Sequence, residues 1–158
     1  MQRKRSMKKY NVLGIGNAVV DVISQSSDLF LEKMNIEKGI MQLVDRDRGE
    51  LLYNSMDNRR QAPGGSVANT IAGIGELGLK TGFIGKVGND DLGNFYRSTM
   101  EDKGTDFLNE LIDESDLPTS RSMIFVSDDG ERSMNTYLGI SAELGPDDVN
   151  LEVASNAE

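Results

Sequence analysis

The sequence contains no histidine, no cysteine and no tryptophan. Without cysteine there is no disulfide, zinc thiolate, iron–sulfur cluster or thiol nucleophile, and the absence carries no information about redox compartment. Without histidine there is no Ser-His-Asp triad, no imidazole metal ligand and no histidine pH switch. Acid–base chemistry is left to carboxylates, Lys, Tyr or a bound partner. No apolar run approaches the roughly 18 residues of a membrane span, and no hydrophobic signal region follows the basic start. The expectation is a soluble, cytoplasmic globular protein.

What is present is acidic. Over 158 residues, 17 Lys and Arg face 26 Asp and Glu, a formal charge of −9. Residues 1–9 (MQRKRSMKK) carry five positive charges and no negative one, so they read as a basic extension ahead of a body that begins near Tyr10. An acidic body argues against a general nucleic-acid surface.

From Tyr10 onward short apolar runs alternate with helical patterns, the rhythm of an α/β fold. Strands are expected at Tyr10–Ile15, Val19–Ile23, Ile40–Val44 and Thr81–Gly85. Asp45 offers an N-cap for a helix over Asp47–Met56. Asn58–Pro63 reads as a loop. Ser66–Leu77 has helical spacing and is closed by Gly78, and a further helix starts at Asp90 or Asp91 and ends before Gly104. Glu101–Leu117, with seven acidic residues and one Lys, reads as a solvated loop or edge. Arg121–Ser127 and Ser133–Leu138 flank Asp128-Asp129-Gly130-Glu131, a hairpin signal. Pro146 opens a last helix start.

Three segments carry residues suited to chemistry. Gly14-Ile-Gly16-Asn17-Ala-Val-Val-Asp21 follows the first strand, where an amide and a carboxylate can meet hydroxyl groups at a sheet's carboxyl edge. The same residues are equally readable as a turn at Gly16-Asn17 with Asp21 as a cap. Gly64-Gly65-Ser66-Val67-Ala68-Asn69 opens a helix, where unpaired N–H groups face outward and two glycines permit close approach. It also reads as a merely structural helix start. Arg132 follows the Asp128–Gly130 turn, where a guanidinium can reach phosphate or carboxylate or simply remain solvated.

Taken in order, GxGNxxxD, GGSxxN, GFIGKVGNDDLG and GERSMNTYLG resemble the ribokinase-like (PfkB) family of carbohydrate and nucleoside kinases, from Tyr10 to the end. The Gly64–Gly93 block resembles the family's first signature through Gly85, Gly88, Asp90 and Gly93. It departs from the ribokinase form at Val67 and Ile71, where that form has small residues. Ser66 and the Asn17-to-Asp21 spacing are more similar to the adenosine kinase branch. The resemblance implies a ribokinase-like layered α/β sheet with a small β-sheet lid, and ATP with Mg²⁺ in the complete enzyme. The acceptor it implies is a nucleoside (adenosine-like) or a sugar such as ribose or fructose.

Carried over on matching positions, Asp21 and Asn69 would bond sugar hydroxyls. Asn17 would contact the sugar or order its loop, and Gly65 and Ser66 would line the acceptor pocket. Gly64-Gly65 would be the hinge of a lid drawn from residues 19–23, 40–44 and 121–138. Met41, Leu43, Met123, Met134, Thr136 and Leu138 would form its apolar inner face. Arg132 would stabilise the transferring phosphoryl group.

The family's catalytic Asp, within Gly-Ala-Gly-Asp, has no match here, nor has its Asn-x-x-Glu motif. The chain therefore resembles an N-terminal, acceptor-binding half that is inactive alone. The alternative is a non-catalytic sugar- or nucleoside-binding module, or a dimerising lid that pairs through itself or through an exposed sheet edge.

Overall fold

The computed structural model describes residues 8–158, so most of the basic extension expected at residues 1–9 lies outside the described residues. Two sheets share one hydrophobic core. The first holds β1 (Val12–Ile15), β5 (Thr81–Ile84) and β6 (Thr105–Phe107), all parallel, in the order β1-β5-β6. The second holds β2 (Val19–Gln25), β3 (Met41–Leu43), β4 (Arg60–Gly64), β7 (Ser120–Val126) and β8 (Arg132–Tyr137) in the order β3-β8-β7-β2-β4. Within it β2 runs parallel to β7 and β3 parallel to β8, whereas β2 with β4 and β7 with β8 are antiparallel.

Helices start where capping side chains permit. Ser27 accepts from the Phe30 amide ahead of α1 (Asp28–Lys33). Asp45 accepts from the Arg48 amide (2.8 Å) and opens α2 (Arg46–Asn54). Asp90 does the same for α4 (Asp91–Asp102) through the Gly93 amide (2.8 Å). Each such cap satisfies one of the backbone donors a helix start leaves unpaired. By contrast α3 (Ser66–Glu76) begins after Gly65 with no side-chain cap. The chain closes on a short helix, α5 (Leu151–Ser155).

α3 and α4 pack on one face of the first sheet. Gly75 of α3 lies against Thr81 and Thr105, whose hydroxyls bond each other at 2.8 Å. Tyr96 of α4 packs with Phe83 and Phe107. β1 meets α3 at Gly14, where a Cβ would stand 2.4 Å from Ile71 and 2.8 Å from Val67. The bulky residues at 67 and 71 thus fill the space that two glycines, Gly14 and Gly16, leave open.

α1 and α2 cover one face of the second sheet, burying Val20, Val22, Met123 and Phe125 against Leu31, Leu52 and Met56. A Cβ on Gly49 would stand 3.1 Å from that of Tyr137, so the glycine lets α2 lie close to β8. Lys38, 2.7 Å from both Asp28 and Asp129, ties the segment before β3 to the β7–β8 turn. No helix among the described residues is long and apolar enough to cross a membrane.

Two local expectations differ from the structure, and one element was not expected. The stretch read as a loop, Asn58–Pro63, contains most of β4, an edge strand paired only with β2. Its polar residues and Pro63 suit an edge and disguise it as a loop. The acidic segment contains β6, with Thr105 and Phe107 buried and Asp106 exposed. α1 had no counterpart in the sequence reading.

Opposite outcomes are expected at two glycines. Gly14→Ala collides with Ile71 and should lower unfolding free energy by about 1–3 kcal/mol. Gly73→Ala, inside α3 with nothing within 4 Å of the added carbon, should raise it by about 0.5–1 kcal/mol. Urea denaturation of the two variants checks both signs.

Candidate functional site

The chain leaves one sheet for the other after β1, β4 and β6; Asn17, Gly64, Gly65 and Ser66 lie at the first two of these crossings, and Asp21 stands just inside β2. Asp21 lies on β2 directly opposite Ala62 of β4 and Ser122 of β7. Gly64 ends β4 opposite Val19. A Cβ on Gly64 would fall 2.5 Å from the Asp21 carboxylate, so only glycine admits that carboxylate here. Gly65 has φ +101°, a conformation that L side chains rarely adopt, and a Cβ there would be 2.6 Å from the Asn17 carbonyl oxygen. Ser66 and Asn69 follow on the exposed first turn of α3. Arg132, at the start of β8, projects from the same sheet face as Asp21, and its charge is felt there.

Among the described residues the side chains of Asn17, Asp21, Ser66, Asn69 and Arg132 form no hydrogen bond or ion pair within the protein. Other polar groups are committed: Asp45 and Asp90 cap helices, and Lys86 at the carboxyl end of β5 pairs with Asp148 at 3.1 Å. Asp21 stands out because it is also half-buried. Burial pushes its carboxyl above the usual value, and Arg132 offsets part of that rise. A carboxylate partly withdrawn from water and given no donor is held at a cost.

Strand register sorts the candidates for the apolar face. Asp21, Ser122 and Thr136 lie in one cross-strand row continued by Leu43. The next row is Ile23, Ile124, Met134 and Met41. Met41 and Leu43 are 57% and 63% exposed while Ser122, Ile124 and Thr136 are buried, so this face is open along its β3 edge. Leu138, half-buried, follows β8 immediately. Met123 does not belong to the open face. It pairs with Val22 and Asn135 on the opposite side, under α2, and is wholly buried. Every residue of β7 from Ser120 to Ile124 is buried, so no alternation in the strand's sequence marks its two faces.

Two residues at the site escaped the sequence reading. Ser122 stands beside Asp21 and shares a 2.8 Å hydrogen bond with Thr136. Its spacing of two from Ser120, in a strand whose second half is wholly apolar, was the available signal. Tyr96 donates its hydroxyl to the Gly64 carbonyl at 3.1 Å across 32 residues, and nothing local announces that contact.

The sequence pattern of pfkB family carbohydrate kinases matches residues 38–158. The chain belongs to that family. The adenosine kinase from Sinorhizobium meliloti is 48% identical with a TM-score of 0.84, over 94% of this chain and 45% of that one. A probable sugar kinase from Rhizobium etli CFN 42 is 45% identical with a TM-score of 0.84, over 96% and 46%. A probable fructokinase-3 of Arabidopsis thaliana is 34% identical over 100 residues, 62% of this chain and 29% of the relative. The chain thus spans under half the length of these solved structures and under a third of that curated relative. The fold is the ribokinase-like α/β fold of these neighbours.

The strained Asp21 carboxylate has a consequence for stability. Its pKa is raised on folding, so its ionisation opposes folding. That penalty is absent below the unfolded-state pKa, grows as pH rises towards the raised folded value and is complete above it. Asp21→Asn is therefore expected to melt above wild type at neutral pH, with the gap closing as pH falls into the acid range. Thermal melts across pH measure this.

Proposed function

We propose that the chain is the acceptor-binding part of an ATP-dependent PfkB-family kinase that phosphorylates a hydroxyl of a nucleoside or sugar. One observation carries the reading: Asp21 is a half-buried carboxylate without a hydrogen-bond donor, set against a hinge of paired glycines. Vicinal hydroxyls are the donors that would complete it, since a carboxylate accepts two such bonds and gains most where water is excluded.

The second sheet acts as a lid. Its Asp21–Ser122–Thr136 row meets the hydroxyl-bearing end of the acceptor. The Met41–Met134–Ile124 row covers the apolar part, which favours a nucleoside over a bare sugar. Asn69, Ser66 and the uncapped amides of α3 approach from the other side of the hinge, and Asn17 orders the loop that Gly65 packs against. The adenosine kinase name of a 48%-identical structure supports the same acceptor class.

When bound, ATP supplies the γ-phosphoryl group, whose transfer depends on positioning and charge stabilisation. Arg132 is this chain's contribution there, an exposed guanidinium on the lid margin. Among the described residues no three of Asp, Glu, His or Cys converge to hold a divalent ion, so no step is assigned to magnesium. With no Gly-Ala-Gly-Asp in its sequence, the chain by itself is read as binding acceptor without turnover.

Calorimetry with adenosine, ribose and fructose tests the reading. Adenosine is expected to bind, and Asp21→Ala to weaken it by about tenfold or more. Mg-ATP added to the chain and acceptor should yield no phosphorylated product. Robust turnover would sink the half-enzyme reading, and unchanged affinity in Asp21→Ala would make that residue structural only.

A further inference from the structure

Tyr96 is wholly buried on α4, and its ring is fixed by Phe83 and Phe107 at centroid distances of 6.2 and 6.0 Å. A buried ring held between two aromatic neighbours keeps its hydroxyl in one place. It ends 3.1 Å from the carbonyl oxygen of Gly64, the last residue of β4 before the positive-φ turn at Gly65. That carbonyl belongs to a residue set so near the Asp21 carboxylate that even a Cβ would collide with it. The bond ties Gly64 to α4, so displacement of the β4–α3 junction away from that helix breaks it. The same helix holds a second crossing: the Asp90 carboxylate that caps α4 also accepts from the Thr119 amide at 2.8 Å, one residue before β7.

We propose that Tyr96 is a positioning residue for the acceptor site, its hydroxyl latching Gly64 so that the Gly64–Gly65 hinge stays seated against the Asp21 carboxylate. α4 is then the fulcrum of the second sheet, with Asp90 and Tyr96 as its two attachments. The role rests on the reading of Asp21 as the acceptor contact. The latch itself rests only on the geometry.

Tyr96→Phe keeps the ring and removes the hydroxyl, so the aromatic cluster survives. Hydrogen exchange of the full 158-residue chain, without ligand, compares the variant with wild type. Amides of Asn69–Ile71, the first of α3 with backbone acceptors (Asn69 to the Gly65 carbonyl at 2.9 Å), should exchange about three- to tenfold faster, the scale of one lost hydrogen bond, while Thr81–Ile84 and Thr105–Phe107 keep their rates. Unchanged hinge exchange overturns the latch. So does an acceleration spread evenly over β5 and β6, which would mark general loosening. Calorimetry then separates the two levels. If wild type binds adenosine, Tyr96→Phe should bind it more weakly by a similar factor, and equal affinity refutes the positioning role. If wild type binds no acceptor, the functional reading fails, and the exchange result alone decides the latch.

Discussion

A carboxylate occupies the place where a side chain on residue 64 would be. The 2.5 Å between the Asp21 carboxyl and the missing Cβ of Gly64 sets how closely β4 can approach β2, and where the chain can turn into α3. Gly65 then takes φ +101° against the Asn17 carbonyl, so the second glycine is required by conformation and contact together. These two contacts fasten three segments that lie up to 48 residues apart in the chain, since they join Asn17 to Gly65. The start of α3, the edge strand of the second sheet and the loop leaving β1 all take their positions from them.

Around this contact the two sheets are coupled by packing rather than by charge. Both belong to one buried cluster that includes Ala18, Ala68, Tyr96 and Met123. Glycines on β1, α2 and α3 allow close approach, and each is matched by a residue that fills the space: Ile71 over Gly14, Tyr137 beside Gly49, paired threonines beneath Gly75. Close packing of this kind transmits displacement, because there is little void to absorb it. A sheet attached through a few crossings can move as a unit, provided the crossings themselves are held.

Stability and site chemistry pull in opposite directions at Asp21. The carboxylates that stabilise the fold are satisfied by backbone amides or by lysine, as at Asp90 and Asp148. Asp21 is withheld from such partners and partly withdrawn from water, so its charge is retained at a cost to the fold. Groups kept in that condition are able to gain from a ligand, because the ligand supplies the missing bonds.

Local chemistry in the sequence determined the elements whose signals lie within a few residues of one another. Asp45 and Asp90 as caps, Gly78 and Gly104 as helix ends, and Gly130 in the hairpin turn are of this kind, and each stands where the residues indicate. The motif order also marked Asn17, Asp21 and the paired glycines, which come together where Asn17 follows β1, Asp21 stands on β2 and Gly64-Gly65 join β4 to α3. Only the tertiary structure decided that Arg60–Gly64 is a strand, that an acidic segment hides β6, and that Met123 faces α2 while Met134 faces outward. Those outcomes depend on register against strands and helices distant in the chain, and a shift of one residue would reverse every face. The Tyr96 hydroxyl reaches Gly64 for the same reason: two residues far apart in sequence become partners only after both sheets and α4 have packed.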